Sequence, residues 1–245
     1  MDRWVGKIAV VTGASSGIGA ATAKELARSG MIVVGMARRV HLIEALRNEL
    51  PTGAADRLHA VKCDVRKEEE ILTAFAYVKS KFGGVDVLVN CAAVTSIKTN
   101  LQIGNTQDVN DIYDTNVIGM ILCSREAYLS MKSRSVDGHI IQMGSIAGHQ
   151  IYDAPMMSIY SPSKFAVIGL TEAMRIELRN DKTGTKVTCI SPGLTSPGIY
   201  RDVPGVENLP SLQPSDVVDA IKYALDTPPR VQVHEVIVRP VGDTF

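Results

Sequence analysis

The chain has 245 residues, and its 26 basic and 26 acidic side chains cancel to no net charge. This balance argues against binding to nucleic acid or to an anionic membrane surface, because both favour a basic excess. Hydrophobic residues make up 45% of the chain, which excludes a disordered protein and suffices for a sizeable buried core. We therefore expect a single folded domain over residues 1–245.

The sequence gives no signal for export, membrane insertion or metal binding. The N-terminus does not resemble a signal peptide, and the apolar runs are far shorter than the roughly 20 residues that cross a bilayer. The four cysteines form no CxxC pair, and the five histidines lack the spacing of metal ligands. We expect a cytoplasmic protein with no membrane insertion, no nucleic-acid partner and no structural metal.

Short apolar runs rich in Val and Ile alternate along the chain with longer amphipathic segments, which predict strands and helices respectively. The expected strands are Lys7–Thr12, Met31–Met36, Leu58–Cys63, Val85–Val89, His139–Met143, Lys186–Ile190 and Val233–Val238. The expected helices are Ile18–Ser29, Leu42–Leu50, Lys67–Phe82, Thr106–Ser133, Tyr160–Arg179 and Pro214–Leu225. The strands are apolar throughout, as is typical of parallel strands covered on both faces. The order predicts an α/β, single-domain Rossmann fold: a doubly wound, seven-stranded parallel sheet with helices on both faces.

A glycine-rich turn follows the first predicted strand. Residues 12–19 read Thr-Gly-Ala-Ser-Ser-Gly-Ile-Gly, and a helix pattern begins within them. Glycines at these positions permit a tight turn, a close approach of backbone N–H groups to a pyrophosphate, and close packing of helix on strand. The glycines are spaced GxxxGxG rather than GxGxxG. The turn is not a Walker A loop, because no Gly-Lys-Ser/Thr follows. The turn predicts a dinucleotide site at Gly13, Ser15, Ser16, Gly17, Ile18 and Gly19.

The end of the second predicted strand indicates which dinucleotide binds. In such a fold this point faces the adenosine ribose, where a carboxylate would bind the 2′-hydroxyl and repel a 2′-phosphate. Here Ala37 is followed by Arg38 and Arg39. Guanidinium groups form bidentate, charge-assisted bonds to phosphate, so the pattern favours NADP over NAD. The alternative is a solvated basic pair, although cations are unfavourable at the start of a helix.

Tyr160 and Lys164 are four residues apart, a spacing that places both on one face of a helix. A phenol is a poor base at neutral pH, and a neighbouring ammonium group stabilises its phenolate. Taken alone, such a pair is typical of an exposed helix. Here it follows the fifth predicted strand and Ser145, an order that places a hydroxyl at the carboxyl end of a strand.

At this point the chain resembles the short-chain dehydrogenase/reductase family over nearly its whole length. Residues 12–19 match the cofactor turn of that family, and residues 90–93, Asn-Cys-Ala-Ala, resemble its Asn-Asn-Ala-Gly motif. The family's catalytic tetrad is matched by Asn116, Ser145, Tyr160 and Lys164. The resemblance implies further cofactor contacts from Asp64, Val65, Asn90, Ala92, Tyr160, Lys164, Pro192, Gly193 and Thr195.

The resemblance also implies a role for each member of the tetrad. Tyr160 would be the general acid/base for the substrate oxygen, and Ser145 would hydrogen-bond the same oxygen. Lys164 would bind the nicotinamide ribose, and Asn116 would hold a water that relays protons to solvent. Hydride would pass directly between the nicotinamide and the substrate carbon.

The chain departs from the family pattern where the nicotinamide binds. The family commonly has a Thr five residues after the Pro of Pro192-Gly193, and this Thr anchors the carboxamide. Here that position is Pro197, preceded by Thr195 and Ser196. Either hydroxyl is a candidate replacement.

Within the family, the opening residues 1–7 and the Ala37-Arg38-Arg39 site look most like the insect farnesol-dehydrogenase-like, NADP-dependent members. This resemblance implies a lipophilic alcohol or carbonyl as substrate: a farnesol-like isoprenoid alcohol, a ketosteroid or a small carbonyl. The expected substrate contacts are Ser145, Tyr152, Tyr160 and Ile199. Other apolar side chains expected near the pocket are Ile151, Met156, Met157 and Tyr200.

The stretch 193–213 is rich in Pro and Gly, and we predict that it forms a substrate lid. Family resemblance further suggests a homodimer or homotetramer that uses the long helices Thr106–Ser133 and Tyr160–Arg179.

Two other functions compete with this hypothesis. Ser145, His149 and Asp153 supply the residue types of a serine hydrolase, but they crowd into nine residues and lack the GxSxG elbow. A non-catalytic NADP-binding sensor with a Rossmann fold is the other alternative. Such sensors usually lose the Tyr or the Lys, and this chain has both.

Overall fold

The computed structural model describes residues 1–97, 105–153, 157–196, 198–200 and 205–243. Met156, Pro197 and part of the predicted lid lie outside these ranges. Within the ranges, no helix is long and apolar enough to cross a bilayer. In the same residues, no group of three or more His, Cys, Asp or Glu side chains is arranged to hold a metal ion.

One parallel sheet organises the described residues. Its strands are β1 (Ile8–Thr12), β2 (Ile32–Ala37), β3 (Leu58–Lys62), β4 (Val87–Asn90), β5 (His139–Met143), β6 (Lys186–Pro192) and β7 (Glu235–Val238). Their spatial order is β3-β2-β1-β4-β5-β6-β7, and each neighbouring pair is parallel. The order of the chain reverses between β1 and β4, which opens a crevice at the carboxyl ends of these two strands. The predicted doubly wound Rossmann fold is confirmed.

The helices are α1 (Gly17–Arg28), α2 (Val40–Leu46), α3 (Thr52–Ala55), α4 (Glu68–Phe82), α5 (Thr106–Tyr113), α6 (Met120–Ser133), α7 (Met157–Asn180) and α8 (Pro214–Asp226). Short 3₁₀ turns lie at Asp2–Trp4, Arg47–Glu49, Ile146–Gly148 and Val206–Asn208. The charges of α4 complement its dipole, with three Glu in the first turn and two Lys in the last. It ends at Gly83, whose φ of 85° supplies a left-handed cap.

Alternate side chains of β1, β2, β4 and β5 enter two separate cores, one on either face of the sheet. Ala9 and Val11 of β1 pack into the core that contains residues of α1 and α8. Ile8 and Val10 pack into the other core, with residues of α4, α6 and α7. Both faces of the central strands are therefore covered, as the continuously apolar strands predict. The edge strand β7 is only half-buried, and its Ile237 is exposed.

The helix predicted over Thr106–Ser133 is interrupted by a π-helical segment, Asp114–Gly119, between α5 and α6. At Gly119 an added Cβ would lie 2.5 Å from the Val65 carbonyl oxygen, so this segment packs tightly against the end of β3. The helix predicted over Leu42–Leu50 is also shorter, because α2 ends at Leu46. Leu50 is extended, as the residue before Pro51 prefers.

Candidate active site

An open cleft of about 310 Å³ lies at the carboxyl ends of the strands, where the strand order reverses. Most of the predicted site residues line it: Gly13, Ser15, Ser16, Gly17, Ile18, Gly19, Arg38, Arg39, Asp64, Val65, Ala92, Ser145, Tyr160, Lys164, Pro192, Gly193, Thr195 and Ile199. In the described part of the chain, the lining does not include the predicted residues Asn90, Asn116 and Tyr152. The fold therefore brings the glycine-rich turn, the arginine pair and three of the tetrad residues into one cleft.

The glycine-rich turn between β1 and α1 forms one wall of the cleft. Gly13 and Gly17 have φ of 67° and 55°, in the left-handed region that favours glycine. An added Cβ at Gly13 would lie 2.8 Å from the backbone of Ala92, and one at Gly19 would lie 2.4 Å from the Gly13 carbonyl oxygen. The turn is thus pressed against both the end of β4 and the start of α1, with no room for a side chain.

The N-terminus of α1 opens onto the cleft. Its N-cap residue, Ser16, is extended and makes no side-chain cap. Gly17, Ile18 and Gly19, the first three helical residues, all line the cleft. Uncapped backbone N–H groups and the positive end of the helix dipole together form a site suited to an anion.

The two arginines at the end of β2 are exposed and lie beside this anion site. The Arg39 guanidinium donates from Nη2 to Ser15 Oγ at 3.3 Å and to Ser16 Oγ at 3.2 Å. Ala37, the last residue of β2, is buried and carries no charge toward the cleft. The arrangement places positive charge next to the phosphate turn.

Asp64, at the end of β3, is the acidic residue in the described lining of the cleft, and it is already paired. Arg66 donates to its carboxylate through Nε at 3.0 and 3.1 Å and through Nη2 at 2.6 Å. These hydrogen bonds lower the pKa of Asp64, although burial acts in the opposite direction. Arg66 also binds Asp111 of α5 at 2.6 Å. Asp64 was predicted from its place after the third strand, whereas no motif in the sequence marks Arg66.

Ser145, Tyr160 and Lys164 face the other end of the cleft. Ser145 follows β5, and its Oγ accepts from the Ala147 N–H at 3.1 Å, which caps a 3₁₀ turn. Lys164 is 1% exposed, and its Nζ donates to the Met143 carbonyl oxygen at 2.8 Å. The same Nζ lies 5.7 Å from the centroid of the Tyr160 ring. A buried ammonium thus faces the phenol from the same helix, α7.

Asn116 lies behind these residues in the π-helical segment and is fully buried. Its Oδ1 accepts from the Val94 N–H at 2.9 Å, and its Nδ2 donates to the Val94 carbonyl oxygen at 3.0 Å. The same Nδ2 donates to Ser163 Oγ at 3.1 Å, and Ser163 donates to the Tyr160 carbonyl oxygen at 2.6 Å. Asn116 therefore connects Val94, in the loop after β4, to the turn of α7 that carries Tyr160.

Asn90 also lies below the cleft rather than in its wall. Its Nδ2 donates to Ser124 Oγ at 3.0 Å and to Gln142 Oε1 at 2.9 Å. These bonds join β4 to β5 and α6. Its side chain thus serves the packing beneath the cleft.

Thr195 and Ser196, the two candidates for anchoring the carboxamide, differ in position. Thr195 is buried, lines the cleft and donates from Oγ1 to the Gly193 carbonyl oxygen at 3.1 Å. Ser196 is exposed. The position of the family's usual Thr, Pro197, lies outside the described residues.

An apolar cluster forms around the Tyr160 ring. Its buried members are Ala147, Met157 and Tyr160, with Tyr152, Ile199 and Tyr200 packed against them. Tyr152 thus contacts the cluster without being part of the described cleft lining. Ile151, also expected near the pocket, is instead exposed.

Tyr200 contributes more to the site than the sequence analysis assigned to it. Its ring packs edge-on against Tyr160, with centroids 5.8 Å apart and an interplanar angle of 83°. Burial raises the pKa of Tyr200 well above its ordinary value, and the neighbouring Tyr160 adds to the rise. The position of Tyr200 could not be read from the sequence, because it depends on the path of the segment after β6.

The hydrolase alternative requires Ser145, His149 and Asp153 to act together. His149 instead directs its Nε2 to the Glu235 carboxylate, 2.7 Å away on β7. The Oγ of Ser145 accepts from a backbone N–H. This geometry does not assemble a Ser-His-Asp relay.

The chain is similar to known proteins over nearly its whole length. The model of the short chain dehydrogenase family matches residues 7–204. Farnesol dehydrogenase of Aedes aegypti is 53% identical over 247 residues, covering 100% of both chains. Dehydrogenase/reductase SDR family member 11 of Gallus gallus is 42% identical over 251 residues, covering 98% of each. The structure of an alcohol dehydrogenase from Thermococcus sibiricus, complexed with 5-hydroxy-NADP, gives a TM-score of 0.85 at 26% identity, covering 96% of this chain and 97% of that chain.

Proposed function

The chain belongs to the short-chain dehydrogenase family, and from that premise we propose that it is an NADP-dependent oxidoreductase. It transfers hydride between the nicotinamide and a lipophilic alcohol or carbonyl. The observation that carries the proposal is the convergence of Ser145, Tyr160 and Lys164 on one cleft with the glycine-rich turn. The turn supplies an anion site, and the other three residues supply groups that bind and move a proton on oxygen.

The residues present fit a nicotinamide dinucleotide. The turn at residues 13–19 has no space for a Cβ at Gly13 or Gly19. Its backbone amides would hold the pyrophosphate of the cofactor. The uncapped start of α1 adds a favourable dipole. When bound, the cofactor supplies or accepts the hydride.

A preference for NADP is supported by the charges around the end of β2. Arg38 and Arg39 are exposed, and Arg39 rests on the serines of the phosphate turn. Ala37 stands where a carboxylate would repel a 2′-phosphate. The carboxylate of Asp64 is neutralised by its bidentate pairing with Arg66, whose Nε donates to Oδ1 and whose Nη2 donates to Oδ2. The adenosine end of the cleft is therefore positive overall.

In the proposed oxidation, the alcohol oxygen lies between Tyr160 and Ser145. The Tyr160 phenolate takes the hydroxyl proton as the hydride leaves the carbon, and in the reverse direction the phenol returns that proton. Ser145 hydrogen-bonds the same oxygen and stabilises the charge that develops there. Lys164 stabilises the phenolate. In the part of the chain that the structure describes, the Lys164 ammonium donates one hydrogen bond, to the Met143 carbonyl oxygen. Its other N–H groups would bind the nicotinamide ribose.

We assign Asn116 to the proton relay, together with a positioning role. Its side-chain amide is engaged by Val94 and Ser163, so a relay water would bond to its main chain instead. Through Ser163 the amide also holds the turn of α7 that carries Tyr160. We assign Thr195 to the carboxamide, because its buried side chain lines the cleft and Ser196 is exposed.

The apolar cluster around Tyr160 supports a lipophilic substrate. Its members present rings, methyl groups and a thioether next to the two hydroxyls that would hold the substrate oxygen. The similarity to farnesol dehydrogenase favours an isoprenoid alcohol, with ketosteroids and small carbonyls as further candidates. We propose that residues 193–213 form a lid over this end of the cleft, which would exclude water from the reacting atoms.

The test is a steady-state assay of farnesol oxidation with NADP and NAD, and of ketosteroid and diketone reduction with the reduced cofactors. We expect a higher kcat/KM with NADP. The double variant Ala37→Asp/Arg38→Leu should shift the preference toward NAD, whereas Arg47→Leu, an exposed arginine after α2, should leave it unchanged. An unchanged preference in the double variant would contradict the NADP assignment.

The runner-up function is a non-catalytic NADP sensor. A sensor would bind the cofactor without turnover: it would not reduce NADP in the presence of the alcohols of this panel, and it would not oxidise NADPH in the presence of the carbonyls. The presence of Tyr160 and Lys164 in one cleft argues for turnover.

We also propose a homodimer or homotetramer in the cytoplasm. Support for an assembly comes from exposed apolar side chains on the long helices, Ile121 and Leu129 on α6 and Phe165 and Ile176 on α7. Support for a reducing compartment comes from the four free cysteines. Sedimentation equilibrium of the purified protein measures the assembly, and a monomer at micromolar concentration would contradict it.

A further inference from the structure

Arg66 lies in the loop between β3 and α4, two residues after Asp64 and outside the described lining of the cleft. We propose that Arg66 determines the preference for NADP: by neutralising Asp64, it leaves the Arg38 guanidinium available to the 2′-phosphate. The inference rests on the proposed function, because it takes NADP to be the cofactor and Arg38 to be a ligand of its 2′-phosphate. Arg66 itself is then a positioning residue, which acts on the cofactor through Asp64.

The Asp64 carboxylate is held by Arg66 on both of its oxygens. The Nε of Arg66 donates to Oδ1 at 3.0 Å, and Nη2 donates to Oδ2 at 2.6 Å. The remaining nitrogen, Nη1, donates to Asp111 of α5 at 2.6 Å, so a second helix fixes the guanidinium in place. Bidentate pairs of this kind are among the stronger hydrogen bonds in proteins. Arg66 therefore cancels the charge of the carboxylate that the described cleft lining includes.

Arg38 and Asp64 leave neighbouring strands at the same level of the sheet. The strands β2 and β3 are parallel, with Ala37 opposite Lys62, and the Cys63 N–H donates to the Ala37 carbonyl oxygen at 3.1 Å. The next residues along the two segments are Arg38 and Asp64, and both line the cleft. Arg38 is exposed, and in the described part of the chain it has no ion pair. Its guanidinium is therefore available to an anionic ligand.

Without Arg66, the Asp64 carboxylate would compete with the 2′-phosphate for Arg38. The hydrogen bonds from Arg66 lower the pKa of Asp64, burial opposes them, and the charge of Arg38 lowers this pKa further. Once Arg66 is removed, a bond between Arg38 and Asp64 would form at the expense of the phosphate. The unpaired carboxylate would also repel the phosphate, since like charges repel. NAD carries a hydroxyl at this point, so its binding should change little.

The experiment measures the Kd of NADPH and the Kd of NADH by fluorescence titration of wild type and of Arg66→Met. The ratio of the two Kd values reports the 2′-phosphate alone, because contacts to adenine, pyrophosphate and nicotinamide are common to both cofactors and cancel. Arg66→Met should raise the Kd of NADPH by about tenfold or more, as expected for the loss of one hydrogen bond to a charged group. The Kd of NADH should stay within about threefold of wild type.

The double variant Asp64→Asn/Arg66→Met separates this role from a merely structural one. It removes the carboxylate together with the guanidinium, so the local net charge equals that of wild type and Arg38 again has no competitor. Its ratio of Kd values should return to within about threefold of wild type. Arg66→Gln, which also lacks the charge, should weaken the preference for NADPH in the same direction and keeps the test open if Arg66→Met unfolds.

Arg125→Met is the matched control, because Arg125 forms a similar guanidinium–carboxylate pair with Glu68 at 2.7 Å, outside the described cleft lining. It should leave the Kd of NADPH and the Kd of NADH unchanged.

A ratio of Kd values in Arg66→Met within about threefold of wild type would overturn the inference. A loss that Asp64→Asn does not reverse would also overturn it, because Arg66 would then bind the phosphate itself or act only on the fold. Failure of the proposed function shows in wild type instead, which would bind NADH as tightly as NADPH or bind NADPH without turnover. The inference alone fails when wild type prefers NADPH and turns over but Arg66→Met keeps that preference.

Discussion

Gly19 is the position where one added methyl group tests the phosphate turn most sharply. It lies in α1, where alanine is ordinarily preferred over glycine by about 1 kcal/mol. In this fold the new Cβ would lie 2.4 Å from the Gly13 carbonyl oxygen and 2.8 Å from its carbon. Both atoms belong to the backbone, so turn and helix must separate by roughly 1 Å before the contact becomes ordinary.

A shift of roughly 1 Å moves the amides that face the pyrophosphate out of hydrogen-bonding geometry. A hydrogen bond to a charged group contributes about 1.5–3 kcal/mol, so the loss of one such bond should weaken NADPH binding by roughly 10-fold to 150-fold. Overpacking would reduce folding stability by about 1–3 kcal/mol, and the helix preference of alanine offsets part of that loss. Gly19→Ala should therefore lose cofactor affinity while remaining folded.

The assay is a fluorescence titration of NADPH, with thermal unfolding of the same samples. Gly53→Ala is the matched control, since Gly53 lies in the helix α3 and its new Cβ would meet only the end of the Arg57 side chain at 3.8 Å. The control should bind NADPH as wild type does. If Gly19→Ala also binds NADPH with the wild-type Kd, the tight turn is not what positions the cofactor.

Two further predictions concern stability. Burial lowers the pKa of His139 from 6.5 to about 3, so the unfolded chain binds a proton below pH 6.5 that the folded chain does not. The free energy of unfolding should fall by about 1.4 kcal/mol between about pH 7.5 and 5.5, and an identical slope in His139→Gln would contradict this. Arg134→Met leaves the buried Asp86 carboxylate without its guanidinium and should cost about 3–5 kcal/mol in denaturant titrations. A loss below about 1 kcal/mol, as expected for the exposed Arg125–Glu68 pair, would count against it.

The sheet was predictable because its signals are local. Strands covered on both faces need consecutive apolar residues, and β1, β2 and β4 lie in such runs. The phosphate turn was predictable for a similar reason, since its glycines answer steric demands within a few residues of one another. Gly13 and Gly17 adopt left-handed φ angles, as the turn requires.

The features that escaped the sequence analysis depend on contacts between distant segments. The π-helical segment around Asn116 follows from its fit against Val94 and Ser163, which no periodicity records. The side chain of Asn90, a residue predicted to contact the cofactor, is directed beneath the cleft, where its amide donates to Ser124 and Gln142. Local motifs identify which residues approach the cleft, but the packing of neighbouring elements decides the direction of each side chain.

The proton-transfer role of Tyr160 is the central claim, and the kcat of Tyr160→Phe tests it most directly. The substitution removes one hydroxyl and keeps the ring that packs in the apolar cluster. General acid–base catalysis contributes about 100-fold to 10,000-fold, so kcat for farnesol oxidation should fall by that factor. The Kd for NADPH, measured on the same protein, should stay close to the wild-type value. A kcat within twofold of wild type would contradict the mechanism.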